Sequence, residues 1–121
     1  MRELAGRHEG LRLLLVHGSR ARGDSRAGSD WDFGYLADAG FDAEGLLVDL
    51  VRETACDQVD LADLARASAQ LRYRAAADAG VLFEREPDTF ASFWFDAVSY
   101  WCDMQDVIRA EYEAALDRVS P

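Results

Sequence analysis

Asp30 and Asp32 stand two residues apart in the segment DWDFGYLA, residues 30–37, where Trp31, Phe33 and Tyr35 alternate with Asp30, Asp32 and Gly34. Period-two alternation predicts a strand, so both carboxylates leave one face while the three aromatic rings leave the other and belong to the core. Two carboxylates a few ångströms apart repel one another. A cation between them removes the conflict, and a set of hard oxygen donors suits Mg²⁺ or Mn²⁺. Taken alone, the pair also fits a solvated polar face on an edge strand, because charged side chains usually face water. Gly34, next on the acidic face, is expected to leave room for a ligand.

A third carboxylate, Asp60, sits between Val59 and Leu61 in QVDLADL, residues 58–64, a second predicted strand. Alternation sets Asp60 off the core face. If the two strands are neighbours, three carboxylates converge, which is the set needed for phosphoryl transfer with two metals. One metal then holds a triphosphate and the other activates the attacking oxygen. Asp60 would ligate the second metal and accept the nucleophile's proton. Asp63 competes for this role, but Asp60 has apolar neighbours on both sides, as a central strand position should. The alternative for Asp60 is an exposed carboxylate near a strand end.

Upstream, LRLLLVH at residues 11–17 is apolar almost throughout and predicts a buried strand, which Gly18 ends. A glycine there lets backbone amides approach a phosphate, Ser19 adds a hydroxyl donor, and Arg22 adds a cationic fork for phosphate oxygens. A plain turn is the other reading of Gly18-Ser19. Arg20, Arg22 and Arg26 fall within seven residues, in a polar, glycine-rich stretch from 19 to 29 that reads as a turn with room for a short helix.

The elements that must position these groups follow in order. Asp38 to Gly40 forms a turn, and residues 42–55 carry Leu46, Leu47, Leu50 and Val51 at helical spacing. Residues 66–79 are alanine-rich and helical, with Gly80 as a C-cap region. Residues 81–84 make a short strand. Pro87 opens a long helix from about residue 88 to 118, with an apolar stripe of Phe90, Trp94, Ala97, Trp101, Met104, Ile108, Tyr112 and Ala115. The order is an α/β pattern around one sheet in a single domain over residues 1–121.

Composition narrows the function classes. The net charge is −10 and all 13 basic residues are arginines. Such a surface disfavours direct, non-specific nucleic-acid binding, which depends on neutralising phosphates, and suits a protein partner with a basic face. No run is long enough to span a bilayer and the N-terminus lacks a signal peptide's apolar stretch, so a cytoplasmic location is the expectation. Cys56 and Cys102 lack zinc-ligand spacing and read as reduced, buried thiols. His17 reads as a hydrogen-bonded strand-end histidine and His8 as solvated. Arg72 and Arg74, flanking Tyr73, read as a solvated charged face.

The spacing Gly18-Ser19, ten residues, then Asp30-Trp31-Asp32 resembles the nucleotidyltransferase superfamily that includes DNA polymerase β. With the strand LRLLLVH, the run Arg20-Ala-Arg-Gly23 and Ser29 before Asp30, it is most similar to the minimal nucleotidyltransferases, and the likeness extends more weakly over residues 80–84 and the last helix. The resemblance implies a nucleotidyltransferase fold: a mixed β-sheet flanked by helices with a long C-terminal helix. It implies ATP or another NTP as donor and Mg²⁺ as cofactor. Gly18, Ser19 and Arg22 would bind the nucleotide, and Asp30, Asp32 and Asp60 would form the catalytic metal triad. Many minimal nucleotidyltransferases are antitoxins paired with HEPN-type RNase toxins, and some silence the toxin by adding AMP to its tyrosine. That activity is the expectation for this chain. A non-catalytic antitoxin that neutralises its partner by contact, and an enzyme that modifies a small molecule, are the alternatives. Only residues 1–10 precede the first strand, so any helix there is short.

The run Phe93-Trp94-Phe95 carries more apolar surface than one helix face needs. Core packing accounts for it in one reading. In the other, Phe93, Phe95 and Tyr100 are exposed and dock a basic, helical protein, with self-association to a homo-oligomer when that partner is missing.

Overall fold

Strand β1, Leu11–His17, is the centre of the sheet: every residue in it except Arg12 is buried. The computed structural model describes residues 1–23 and 30–119, so Arg26 and Ser29 lie outside the described residues. β1 pairs antiparallel with β2, Trp31–Ala37, on one side and with β4, Gly80–Glu84, on the other. β2 pairs parallel with β3, Val59–Asp63, giving the mixed order β3-β2-β1-β4. The parallel pair needs a crossover, which helix α3, Ala43–Thr54, supplies.

Helix boundaries follow from their caps. Asp42 accepts from the Gly45 amide at 3.1 Å and starts α3. Ser68 accepts from the Leu71 amide at 3.1 Å, so α4, Ala69–Asp78, begins later than alanine content alone suggests. Gly80 is not a C-cap. It is the first residue of β4, paired with Val16, and Ala79 ends α4 in an extended conformation. Two short helices take the places the sequence left open for them: α1, Arg2–Gly6, before the first strand, and α2, Ser19–Arg22, in the glycine-rich stretch. The last helix, α5, runs Thr89–Val119.

Both faces of the sheet are covered. Leu14, Val16 and Phe33 pack with Leu4 of α1 and with Leu46 and Leu50 of α3; Trp31, Tyr35, Val59 and Leu61 flank them. The other face joins Leu13 and Leu15 to Leu64, Ala75, Ala76, Phe93 and Ala97, under α4 and α5. The acidic face of β2 is therefore also a core face along most of its length. Gly34 serves that core: a β-carbon there would lie 2.9 Å from both Leu64 methyls and 3.0 Å from Leu64 Cγ. The room that glycine leaves is filled by a buried leucine, not kept for a ligand.

The aromatic helix is oriented differently from the expected stripe. Phe93 is 3% exposed and belongs to the core, with Ala97 one turn on, while Trp94 faces outward. Phe95 and Tyr100 are 65% and 59% exposed. Both cysteines are free, but Cys56 is only half-buried and Cys102 is exposed. His8 is not simply solvated: its Nε2 lies 2.7 Å from Asp49 Oδ2. Arg72 stacks its guanidinium 5.5 Å from the Phe93 ring centre and Tyr73 stacks on Trp101 at 5.5 Å, so of the three only Arg74 is exposed.

Overpacking at Gly34 should cost about 1–3 kcal/mol. Gly34→Ala is expected to lower the denaturation midpoint by that amount. Combined with Leu64→Ala, the loss should be smaller than the sum of the single changes. Unchanged stability in Gly34→Ala would show that the position is open after all.

Candidate active site

The register of the parallel pair brings the two most telling carboxylates together: Asp32 lies opposite Asp60. Paired residues on parallel strands project to the same face, at an inter-strand spacing of roughly 4.8 Å. On the other side of Asp32, across β1, lies His17. Gly18 follows at φ 72° and ψ −153°, a backbone conformation suited to glycine. A β-carbon on Gly18 would sit 2.6 Å from Asp32 Oδ2. The backbone thus passes directly over the Asp32 carboxylate, and only glycine allows it.

Asp30 is exposed, one residue before β2, so the first carboxylate of the pair sits at the strand's entry rather than within it. It lines an open cavity of about 350 Å³ together with Asp57, Gln58, Val59 and Asp60. Asp60 is exposed and Asp32 half-buried. Asp63, opposite Tyr35, is the last residue of β3 and accepts from the Ala65 amide at 3.0 Å; its side chain holds the turn that follows, away from Asp32. Among the described residues no three acidic, histidine or cysteine side chains close on one point as a metal cage. Mg²⁺ is ordinarily held by one or two carboxylates plus substrate phosphates and water, and the all-oxygen donors here fit that kind of site.

Ser19 opens α2 and Arg22 closes it. Arg22 Nη1 donates to Asp78 Oδ2 at 3.0 Å. Arg20 lies 4.4 Å over the Trp31 ring, which ties α2 to the start of β2. A larger cavity, about 630 Å³, opens at the far end of β2 near Asp38 and Phe41. Arg85 closes it with a two-pronged pair to Asp38 at 2.7 and 3.2 Å, remote from the acidic cluster.

His17 is buried, but its Nε2 finds no hydrogen-bond partner among the described residues, contrary to a hydrogen-bonded strand-end histidine. Burial pushes its pKa below the usual 6.5, against the attraction of Asp32, Asp60 and Asp78. The folded chain therefore prefers the neutral ring. Its contribution to stability is complete above 6.5 and is lost as pH falls through the depressed folded value. Asp78 is a site residue that motif reading missed. An acid as the last residue of a helix opposes the helix dipole, and that oddity was a readable signal.

Residues 1–88 match the family described as polymerase beta, nucleotidyltransferase, a stretch that contains Gly18, Asp32 and Asp60. The chain belongs to the polymerase β-type nucleotidyltransferase family. The protein adenylyltransferase MntA of Aphanizomenon flos-aquae is 32% identical over 96 residues, which cover 69% of this chain and 63% of that protein. The match thus spans less than two thirds of that relative's length. A crystallised toxin–antitoxin with AMP-PNP aligns at a TM-score of 0.71 and 26% identity, over 97% of this chain and 93% of the other. The complex of a tri-AMPylated Shewanella oneidensis HEPN toxin with its MNT antitoxin aligns at a TM-score of 0.59 and 25% identity, over 92% and 84%. The fold of this nucleotidyltransferase, a mixed four-stranded sheet with a long C-terminal helix, is that of the minimal nucleotidyltransferase structures. Among the described residues no helix is long and apolar enough to cross a membrane.

A buried ring nitrogen without a partner costs about 1–3 kcal/mol. His17→Phe should therefore leave the metal-free protein at least as stable at pH 7.5, and should remove part of the loss of stability on acidification below 6.5. A strongly destabilised His17→Phe, measured by thermal melting at both pH values, would mean that Nε2 has a partner.

Proposed function

We propose that this chain is a metal-dependent protein adenylyltransferase, the antitoxin of a HEPN-type RNase toxin, which moves AMP from ATP to a tyrosine of that toxin. The observation that carries the reading is the Asp32–Asp60 register beside a glycine whose backbone lies on the Asp32 carboxylate. The relative named protein adenylyltransferase, and the similarity to complexes containing AMP-PNP or an AMPylated HEPN toxin, support the donor and the acceptor.

Asp30, Asp32 and Asp60 would hold Mg²⁺, or Mn²⁺, which supplies charge neutralisation for the triphosphate and the developing pyrophosphate. The chain's own residues do the rest. Gly18 permits close approach of the triphosphate, the Ser19 hydroxyl donates to it, and Arg22 offers a planar guanidinium to its oxygens. The tyrosine oxygen attacks the α-phosphorus of ATP. The new bond is O–Pα; the bond that breaks joins Pα to the bridging oxygen of the β-phosphate, and pyrophosphate leaves with the electron pair. Asp60, the most open of the paired carboxylates, accepts the phenolic proton and releases it to water.

Partner binding has its own surface. From Gln105 to the end of the described residues α5 is exposed throughout. Ile108 and Tyr112, with Trp101, line an apolar hollow of about 310 Å³, and Leu116 and Val119 extend the exposed apolar surface. This face also favours a second reading, neutralisation by contact alone, and a transfer assay separates the two.

Asp32→Asn should abolish transfer of labelled AMP to the toxin with folding intact; full activity would sink the triad. Gly18→Val should weaken ATP binding by roughly tenfold or more in calorimetry, and unchanged affinity would refute the phosphate role. Tyr112→Glu should weaken the toxin complex, as loss of a buried aromatic anchor costs about 2 kcal/mol or more. Unchanged binding would move the interface away from α5.

A further inference from the structure

Asp78 is the last residue of α4, and the last turn of that helix holds no basic residue of its own. The carbonyl end of a helix carries partial negative charge, so a carboxylate there is locally unfavourable. The position is nevertheless tightly defined. Gly80 is paired with Val16 at the end of β1, which brings the end of α4 beside the Gly18–Ser19 turn. Ala79 packs into the core between them. Asp78 is mostly buried, with 29% of its side chain exposed, and its carboxylate meets Arg22 Nη1 at 3.0 Å across 56 residues of sequence. The cation that the helix end lacks thus comes from α2.

Arg22 is carried by a helix of four residues. An arginine on so short a support has many rotamers, and fixing them only when a ligand arrives weakens binding. A guanidinium has five N–H donors, so one edge can hold a carboxylate while another meets a phosphate oxygen.

Resting on the nucleotidyl-transfer reading above, we propose that Asp78 is a positioning residue: with the end of α4, it orders Arg22 beside the Gly18–Ser19 turn before the donor triphosphate binds. Asp78 does not touch the nucleotide. It acts through Arg22, and its charge is tolerated at a helix end because Arg22 neutralises it.

The test uses the full chain and ATP with Mg²⁺ as the probe. In calorimetry, Asp78→Asn should weaken ATP binding roughly five- to tenfold, and Asp78→Glu should restore most of it. The thermal midpoint of Asp78→Asn should change little, since loss of the ion pair and relief of repulsion at the helix C-terminus oppose one another. In an Arg22→Ala background, Asp78→Asn should have no further effect on ATP affinity. Unchanged or tighter ATP binding by Asp78→Asn overturns the proposal, tighter binding meaning that Asp78 competes with phosphate for Arg22. An equal loss in the Arg22→Ala background, or a loss explained by a lowered midpoint, also overturns it. Failure of the wild-type chain to bind ATP at all would instead remove the nucleotidyl-transfer reading on which it rests.

Discussion

Everything at the site depends on holding two like charges side by side. At an inter-strand spacing of roughly 4.8 Å and an effective dielectric of about 20, two carboxylates repel by up to about 3.5 kcal/mol, less where water screens Asp60. A one-residue slip of β3 against β2 would relieve the repulsion and exchange every side chain between faces. Two packing arrangements oppose that slip. On one face Trp31, Phe33, Val59 and Leu61 join the core beneath α3; burying one such side chain fully is worth about 1.5–3 kcal/mol. On the other face Leu64 fits over Gly34 and over no other residue type without displacement. Burial on both faces therefore outweighs the repulsion and holds the register that sets Asp32 beside Asp60.

The same packing decides where the site lies. From Leu13 on, β1 is apolar on both faces until His17, the point at which the cover from α4 and α5 gives out. There the strand turns at Gly18, and the starts of β2 and β3 and the end of α4 meet it. A buried neutral histidine, several carboxylates and an arginine from a one-turn helix share this end of the sheet. At the opposite end Arg85 pairs with Asp38, and the His8 ring hydrogen-bonds Asp49. Carboxylates gathered at one end, and carboxylates already partnered at the other, separate a site that calls for cations from a surface that does not.

Much of this was legible in the sequence where the signal is local. Alternation in DWDFGYLA gave the faces of β2, and the apolar neighbours of Asp60 gave the face of β3. That the two strands are neighbours stayed a condition in the sequence, and the parallel pairing of the structure meets it. What was not legible depended on contacts between distant segments. Gly34 sat on the acidic face, and nothing nearby in sequence reveals that Leu64 occupies its space. The burial of Phe93 rather than Trp94 depends on how α5 is rotated against Leu13 and Leu15, and a run of three aromatics fits two adjacent stripes equally well. Asp78 and Arg22 lie in unrelated patterns, and only the β1–β4 pairing draws them together.

The long helix carries the remaining imbalance. With 31 residues it extends roughly 46 Å, yet its buried residues, Phe93 and Ala97, lie in the first three turns. Trp101 is held by the Tyr73 ring and Met104 is half-buried; beyond Met104 every described residue of the helix is exposed. An isolated helix of about 12–15 residues, the length left uncovered from Gln105 onward, is marginal in water, and stability normally comes from covering an apolar stripe. Residues from 103 onward carry five acidic and two basic side chains, so a second copy of this stretch would meet it with charge of the same sign. A basic surface would not. α4 lies between that stripe and the site: Tyr73, midway along it, stacks on Trp101 of α5, and Asp78, its last residue, contacts Arg22. The seating of α5 and the setting of Arg22 are thus separated by a single helix, itself pinned by Ala75 and Ala76 in the core.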